Sequence, residues 1–285
     1  MELWKALKHR RLAMAGGAVI LLLVVVGIAG PWMAPYDPLD QDLAKSLLRP
    51  SWQHWFGTDS FGRDILSRVL YGARISLLVG IASQGIAFSL GVAMGLVSGY
   101  YGGKVDALIM RLADVTLAFP TLLLLIAITA AFQPGLTVVF VAIGVVGWAG
   151  LARLVRSQTL VVRELDYVQA ARALGMNDLR LLARHVLPNT LAPAIIAVTL
   201  GMAGAILLEA ALSFIGLGAQ PPTPSWGSMI SDGRDFLRTA PWISVFPGLA
   251  IGLVVLWFNL FGDGLRDAMD PRLRGGAKRV APPPT

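Results

Sequence analysis

The sequence predicts an all-α integral membrane protein with six transmembrane helices. Hydrophobic residues fill 55% of its 285 positions and charged ones 14%, against roughly 45–50% and 25% in a soluble domain. The charges gather between long uncharged runs, and most Lys and Arg fall in every second connecting segment, which orients the chain with both termini cytoplasmic. The net charge of +7 would suit nucleic acid in a soluble chain, but here the basic residues flank apolar runs. There are no cysteines, so disulfides, thiolate nucleophiles and cysteine metal sites are excluded.

Lys5, Lys8, Arg10 and Arg11 precede an uncharged run from Leu12 to Tyr36. About 20 residues cross a bilayer core, and the apolar part exceeds the roughly 7–15 residues of a signal-peptide core. Residues 1–36 therefore read as a cytoplasmic N-terminus and an uncleaved first span. Residues 37–74 read as an external loop in which Trp52 and Trp55 anchor at the headgroup level.

Ile75 to Gly103 is the second span, rich in Gly and Ala for close helix packing. The third begins near Ala107, with Arg111 and Asp114 paired at i,i+3 and Pro120 as a kink. Gln133-Pro134-Gly135 separates it from the fourth span, which ends at Ala152. The fifth starts at Val186 and holds Glu209, the one carboxylate deep in a span, where a lone charge needs a polar path or a partner helix. Gln220 to Trp242 lies outside, with Pro222 and Trp226 on the rim. Thr239 to Gly262 is the sixth span. Residues 75–265 thus form the core, with a cytoplasmic loop at 157–189, and the Gly, Lys, Arg and Pro composition of the cytoplasmic tail 266–285 predicts disorder.

That cytoplasmic loop is a polar island. Val168, Ala171 and Leu174 share a helical face, and Gly175 supplies a left-handed end. Asn177 or Asp178 caps a second helix whose Leu179, Leu182 and Val186 share a face, and Pro188 stops it. Small side chains at Ala170, Ala171 and Ala173 admit another surface, with Arg172, Arg180 and Arg184 at the edges. Three roles fit the residues: docking to a protein, lying on lipid headgroups, or binding DNA as a helix-turn-helix. A loop tethered between two spans is out of reach of DNA.

Gln169-Ala170-Ala171, then Gly175, then His185, Leu187 and Pro188 resembles the EAA loop of ATP-binding-cassette (ABC) importer permeases. The family's usual leading Glu is Gln169 here, and its usual Ile is His185. Gly57-Thr58-Asp59, Gly62-Arg63-Asp64, Ser67-Arg68 and Tyr71-Gly72-Ala73-Arg74 resemble the approach to the second span in the dipeptide and oligopeptide branch, which also includes nickel and glutathione permeases. Gln220 to Gly227, Phe246-Pro247-Gly248 through Asn259, and Gly262 to Asp267 extend the likeness over nearly the whole chain.

The resemblance implies a type I importer permease (MetI-like) fold in a bacterial or archaeal plasma (inner) membrane, forming half of a peptide translocation path. Its partners would be a second homologous permease subunit in a heterodimer, two ATPase subunits, an extracytoplasmic binding protein and membrane lipid, with no nucleic acid. Asp166, Gln169, Ala170, Ala171, Arg172, Gly175, Leu187 and Pro188 are then the ATPase-coupling residues, and Glu209 and Asn259 the candidates for the path. No G-x-x-x-x-G-K-[ST] loop occurs, so this chain carries no cofactor, and ATP and magnesium belong to the partner ATPases. Three His at 9, 54 and 185 lie in separate segments without H-E-x-x-H or a Ser-His-Asp set, which disfavours a membrane enzyme and leaves no catalytic or metal site. A passive channel needs no docking loop.

Overall fold

The structure is a computed structural model that describes residues 11–269. The expectations for Lys5, Lys8 and Arg10, and for the tail from residue 270 with Arg272, Arg274, Lys278 and Arg279, lie outside the described residues. Within them the chain is helical, with one isolated bridge between Thr58 and Asp64.

Helix α1 (Arg11–Met33) leads to a folded outer cap. In that cap Gly57 and Gly62 each take φ +77°, which glycine alone adopts without strain. Asp59 accepts from the backbone of Phe61 and Arg63 at 2.9 and 3.0 Å and from Arg63 Nε at 2.7 Å. Asp64 accepts from Ser67 N at 2.8 Å and lies 2.9 Å from His54 Nδ1. Trp52 and Trp55 stand exposed.

Because Asp64 is an N-cap, α2 (Ile65–Tyr101) starts ten residues before the expected Ile75. Residues 65–74, expected in the external loop, are therefore helical and continuous with this span. Arg68 suggested a loop because it is charged, yet it is buried, 3.6 Å from Asp59 and 4.0 Å from Asp232. Burial raises the Asp232 carboxyl above its ordinary range, with the Arg68 and Arg63 guanidiniums pulling the other way.

Helix α3 (Gly103–Ala118) and α4 (Thr121–Ala131) meet at 91°. Pro120 thus breaks the third span where a kink was expected, since it offers no N–H and forces the preceding residue out of the helical region. Asp114 pairs with Arg153 of the next helix, not with Arg111. That helix, α5 (Leu136–Val162), runs ten residues past the expected Ala152 because its arginines are neutralised across the packing: Arg156 grips both oxygens of Asp106 at 2.5 Å.

Helix α2 packs along α5 through glycines. A Cβ at Gly91 would come within 2.7 Å of Leu151 Cβ, and one at Gly95 within 2.6 Å of the Ala152 carbonyl. Small residues at such spacing let spans approach where lipid supplies no hydrophobic drive. Beyond α5 come two short helices described below, then α8 (Leu187–Phe214), the outer helix α9 (Trp226–Gly233) and α10 (Trp242–Met269). Residues 266–269, expected in the tail, close α10.

Four helical stretches are long and apolar enough to span: α2, α5, Asp178–Phe214 and α10. The bent pair α3 and α4 makes a fifth if it is one span, and α1, with Met14–Gly30 as its apolar part, lies where the first span was expected.

Candidate docking element and translocation face

Helices α6 (Asp166–Ala173) and α7 (Asp178–Leu181) form the expected helix, turn, helix. Gly175 takes φ +80°, and two bonds close the end of α6: Met176 N to Ala171 O at 3.2 Å and Gly175 N to Arg172 O at 3.0 Å. This is a Schellman cap, which needs a left-handed residue. Asn177 Oδ1 accepts from Arg180 N at 2.9 Å and starts α7.

The inward face differs from the expected one. Val168, Ala171, Leu181 and Val186 pack with Tyr100 and Val162, whereas Leu174 is 88% and Leu179 78% exposed. Leu174 has left the helix at its C-cap, so the three-residue spacing no longer applies. Leu181 replaces Leu179 because a π turn, Leu182–Val186, follows α7. With the wider i→i+5 turn, residues five apart share a face, and Leu181 and Val186 are five apart.

Pro188 does not stop the helix. It sits in the first turn of α8, where a missing N–H is cheap. The preceding bond, Leu187 N to Leu182 O, closes the π turn.

The expected coupling residues therefore divide. Asp166, Ala170, Arg172, Gly175 and Pro188 are exposed, as are Ala173, Leu174 and Leu179 around them. Ala171, 9% exposed, is covered by its own chain. Leu187 is half-buried. Gln169 turns inward and donates from Nε2 to the Arg163 carbonyl at 2.8 Å.

The path and rim candidates also divide. Glu209 is fully enclosed, with Oε1 accepting from Ser213 Oγ at 2.6 Å and Oε2 buried without a partner among the described residues. Ser213 Oγ in turn accepts from Ala219 N at 3.0 Å, so Glu209 faces the chain's own loop after α8. Helix α9 lies tightly on α8: a Cβ at Gly227 would stand 2.2 Å from the Ala210 carbonyl.

Trp226 is buried and not on the rim. Its Nε1 donates to the Val69 carbonyl at 2.9 Å, and its ring fills the space where Gly72 lacks a side chain. Pro222 is exposed on the outer turn, and Asn259 is exposed on α10.

Sequence reasoning missed a cavity of about 210 Å³ between α2, α5 and α8, lined by Gln84, Gly147, Gly150, Leu154, Ala197 and Gly201. Gln84 Nε2 donates there to the Gly201 carbonyl at 3.1 Å. An amide inside an otherwise apolar run was the signal that could have found it. Neither Glu209 nor Asn259 lines this cavity.

Residues 91–275 match the family of binding-protein-dependent transport system inner membrane components, and residues 1–50 match the N-terminal TM domain of oligopeptide transport permease C. The dipeptide transport system permease protein of Alkalihalophilus pseudofirmus is 47% identical over 273 residues, covering 96% of this chain and 90% of that protein. The glutathione transport system permease protein of Escherichia coli is 46% identical over 277 residues, covering 96% and 91%. A chain of the inward-facing MetNI methionine ABC transporter superposes with a TM-score of 0.56 at 17% identity, covering 71% of this chain and 96% of that one, a likeness of fold.

Proposed function

This chain belongs to the binding-protein-dependent transport system inner membrane components, in the branch of dipeptide, oligopeptide and glutathione permeases, and from that premise we propose that it forms half of a path for short peptides. It is a multi-pass inner membrane permease subunit of an ABC importer, working with ATPase and binding-protein partners, and ATP is hydrolysed on separate subunits.

In this reading a second, homologous permease completes a heterodimer and two ATPases bind ATP and magnesium beneath it. The membrane is bacterial or archaeal, with both termini in the cytoplasm. The observation that carries the docking role is the exposed tip of the helix pair, where Leu174 and Leu179 stand out beside Ala170, Ala173 and Gly175. An apolar tip of this kind suits a protein cleft. Closure of the ATPase pair moves the docked element, and the spans rock between inward-open and outward-open states. A swing from 1:99 to 99:1 takes about 5.5 kcal/mol of differential binding.

The substrate class follows the two relatives named for a dipeptide and for glutathione, both short peptides with free carboxylates. Vesicles holding this chain with its second permease and ATPases should accumulate a labelled dipeptide only with ATP inside and binding protein outside. Glutathione in excess should compete if the class is short peptides. Uptake of nickel with no peptide uptake would sink the proposal.

A further inference from the structure

Polar side-chain bonds tie the docking element to two spans and leave its junction with a third to backbone and apolar packing. Gln169 holds the Arg163 carbonyl at the C-terminal end of α5. Arg163 Nη1 donates to the Gly99 carbonyl of α2 at 2.8 Å, and its Nε to Glu164 at 3.0 Å. One residue on, the Tyr100 hydroxyl donates to Asp178 of α7 at 2.6 Å, and the Arg172 guanidinium lies over the Tyr100 ring at 5.2 Å. The ends of α2 and α5 are also joined through Asp106, which takes Ser98 and Arg156 together.

The opposite junction is different. Between α7 and α8 lies the π turn, a geometry that is rare and recurs at functional sites. Pro188 cannot donate a backbone bond to the preceding turn. Asn189 and Thr190 bond only to the carbonyls of His185 and Leu187, within their own turn. His185 Nε2 is buried with no hydrogen-bond partner among the described residues. Among the described residues no side-chain hydrogen bond or ion pair joins the docking element to the start of α8, and the side-chain contacts there are the apolar packing of Val186 and the Tyr167 ring 6.0 Å from that of His185.

We propose that Arg163 and Gln169 are positioning residues that make the docking element one body with α2 and α5, and that the π turn Leu182–Val186 is the joint at which α8 moves against that body. The proposal rests on the permease reading above. It also accounts for an amide at position 169. A carbonyl accepts, so the partner must donate, and a carboxylate in the same place could only accept.

The chain has no native cysteine, so paired spin labels report on single sites. In the assembled transporter, Lys104→Cys with Arg180→Cys measures within the body, and Arg180→Cys with Ile195→Cys measures across the joint. All three positions are exposed. Addition of a non-hydrolysable ATP analogue should shift the second distance by several ångströms and leave the first unchanged.

Gln169→Met keeps the length of the side chain and removes the donor. It should retain the ATPases on purification yet raise the ATP spent per peptide imported severalfold. An equal fall in uptake and hydrolysis, at an unchanged ratio, would mark a merely structural role and overturn the proposal. So would movement of the first distance, or a second distance that does not respond. If the wild-type chain retained no ATPase, the permease reading would fall first.

Discussion

Tyr100 and Asp178 lie 78 positions apart in sequence and share a 2.6 Å hydrogen bond, so the penultimate residue of the long span α2 holds the first residue of α7. The loop between α5 and α8 is therefore anchored at its centre as well as at its ends.

Removing that anchor should loosen the loop without emptying its apolar packing. Tyr100→Phe keeps the ring against Val168 and Leu181 but loses a bond to a charged group, worth about 1.5–3 kcal/mol. Trypsin should then cut faster after Arg172, Arg180 or Arg184, with membrane insertion unchanged. Unaltered cleavage kinetics would show that the bond does not hold α7.

Neighbouring alanines should behave differently. Ala171 is enclosed by its own chain, so Ala171→Trp should overpack the cluster at a cost of about 1–3 kcal/mol and lower the melting temperature of the purified subunit. Ala170 is exposed, and Ala170→Trp should leave the melting temperature alone while reducing ATPase co-purification. The opposite ranking would place Ala171 at the docking surface.

Gly175 should tolerate little. A residue with a Cβ in the left-handed region costs roughly 1–2 kcal/mol, so Gly175→Val should destabilise the Schellman cap, while Gly175→Asn should cost less because Asn visits that region. No neighbour lies within 4 Å of its Cβ position, so strain, not collision, sets the effect. Equal protease sensitivity of the two variants would contradict this.

Glu209 should matter through its hydrogen bonds. Glu209→Gln retains an acceptor for Ser213 and should support near-normal assembly and uptake. Glu209→Leu strands the Ser213 hydroxyl beside it, at about 1–3 kcal/mol, and should lower the thermal stability of the detergent-solubilised subunit. Uptake lost in Glu209→Gln at full stability would instead put this carboxyl on the substrate path.

Orientation can be read by labelling. Asp235, expected on the outside, and Leu179, expected at the docking tip, are both exposed. Asp235→Cys in intact cells should react with an impermeant maleimide, and Leu179→Cys only after permeabilisation. Reversed reactivity would invert the topology.

Most of the architecture was legible because uncharged runs and turn residues are local signals. The helix, glycine turn, helix of the docking element followed from the spacing of Val168 and Ala171, from Gly175 and from a cap at Asn177 or Asp178. The helix ends were not legible, because Arg68, Arg153 and Arg156 look like loop residues until their carboxylate partners are found across the packing. The inward face of α7 was misplaced for a related reason: a π turn shifts the register by one residue, and no residue type announces it. Trp226 looked like a rim residue, and only the missing side chain of Gly72, far away in sequence, shows where its ring goes.

The two leucines at the docking tip also bear on the life of the subunit before assembly. Until a motor covers them, Leu174 and Leu179 present apolar surface to a compartment where chaperones and proteases sort exposed chains. On the proposed docking reading, copies made in excess of their ATPases should carry that mark and assembled copies should not. Membrane abundance of the subunit should then follow the supply of its partner.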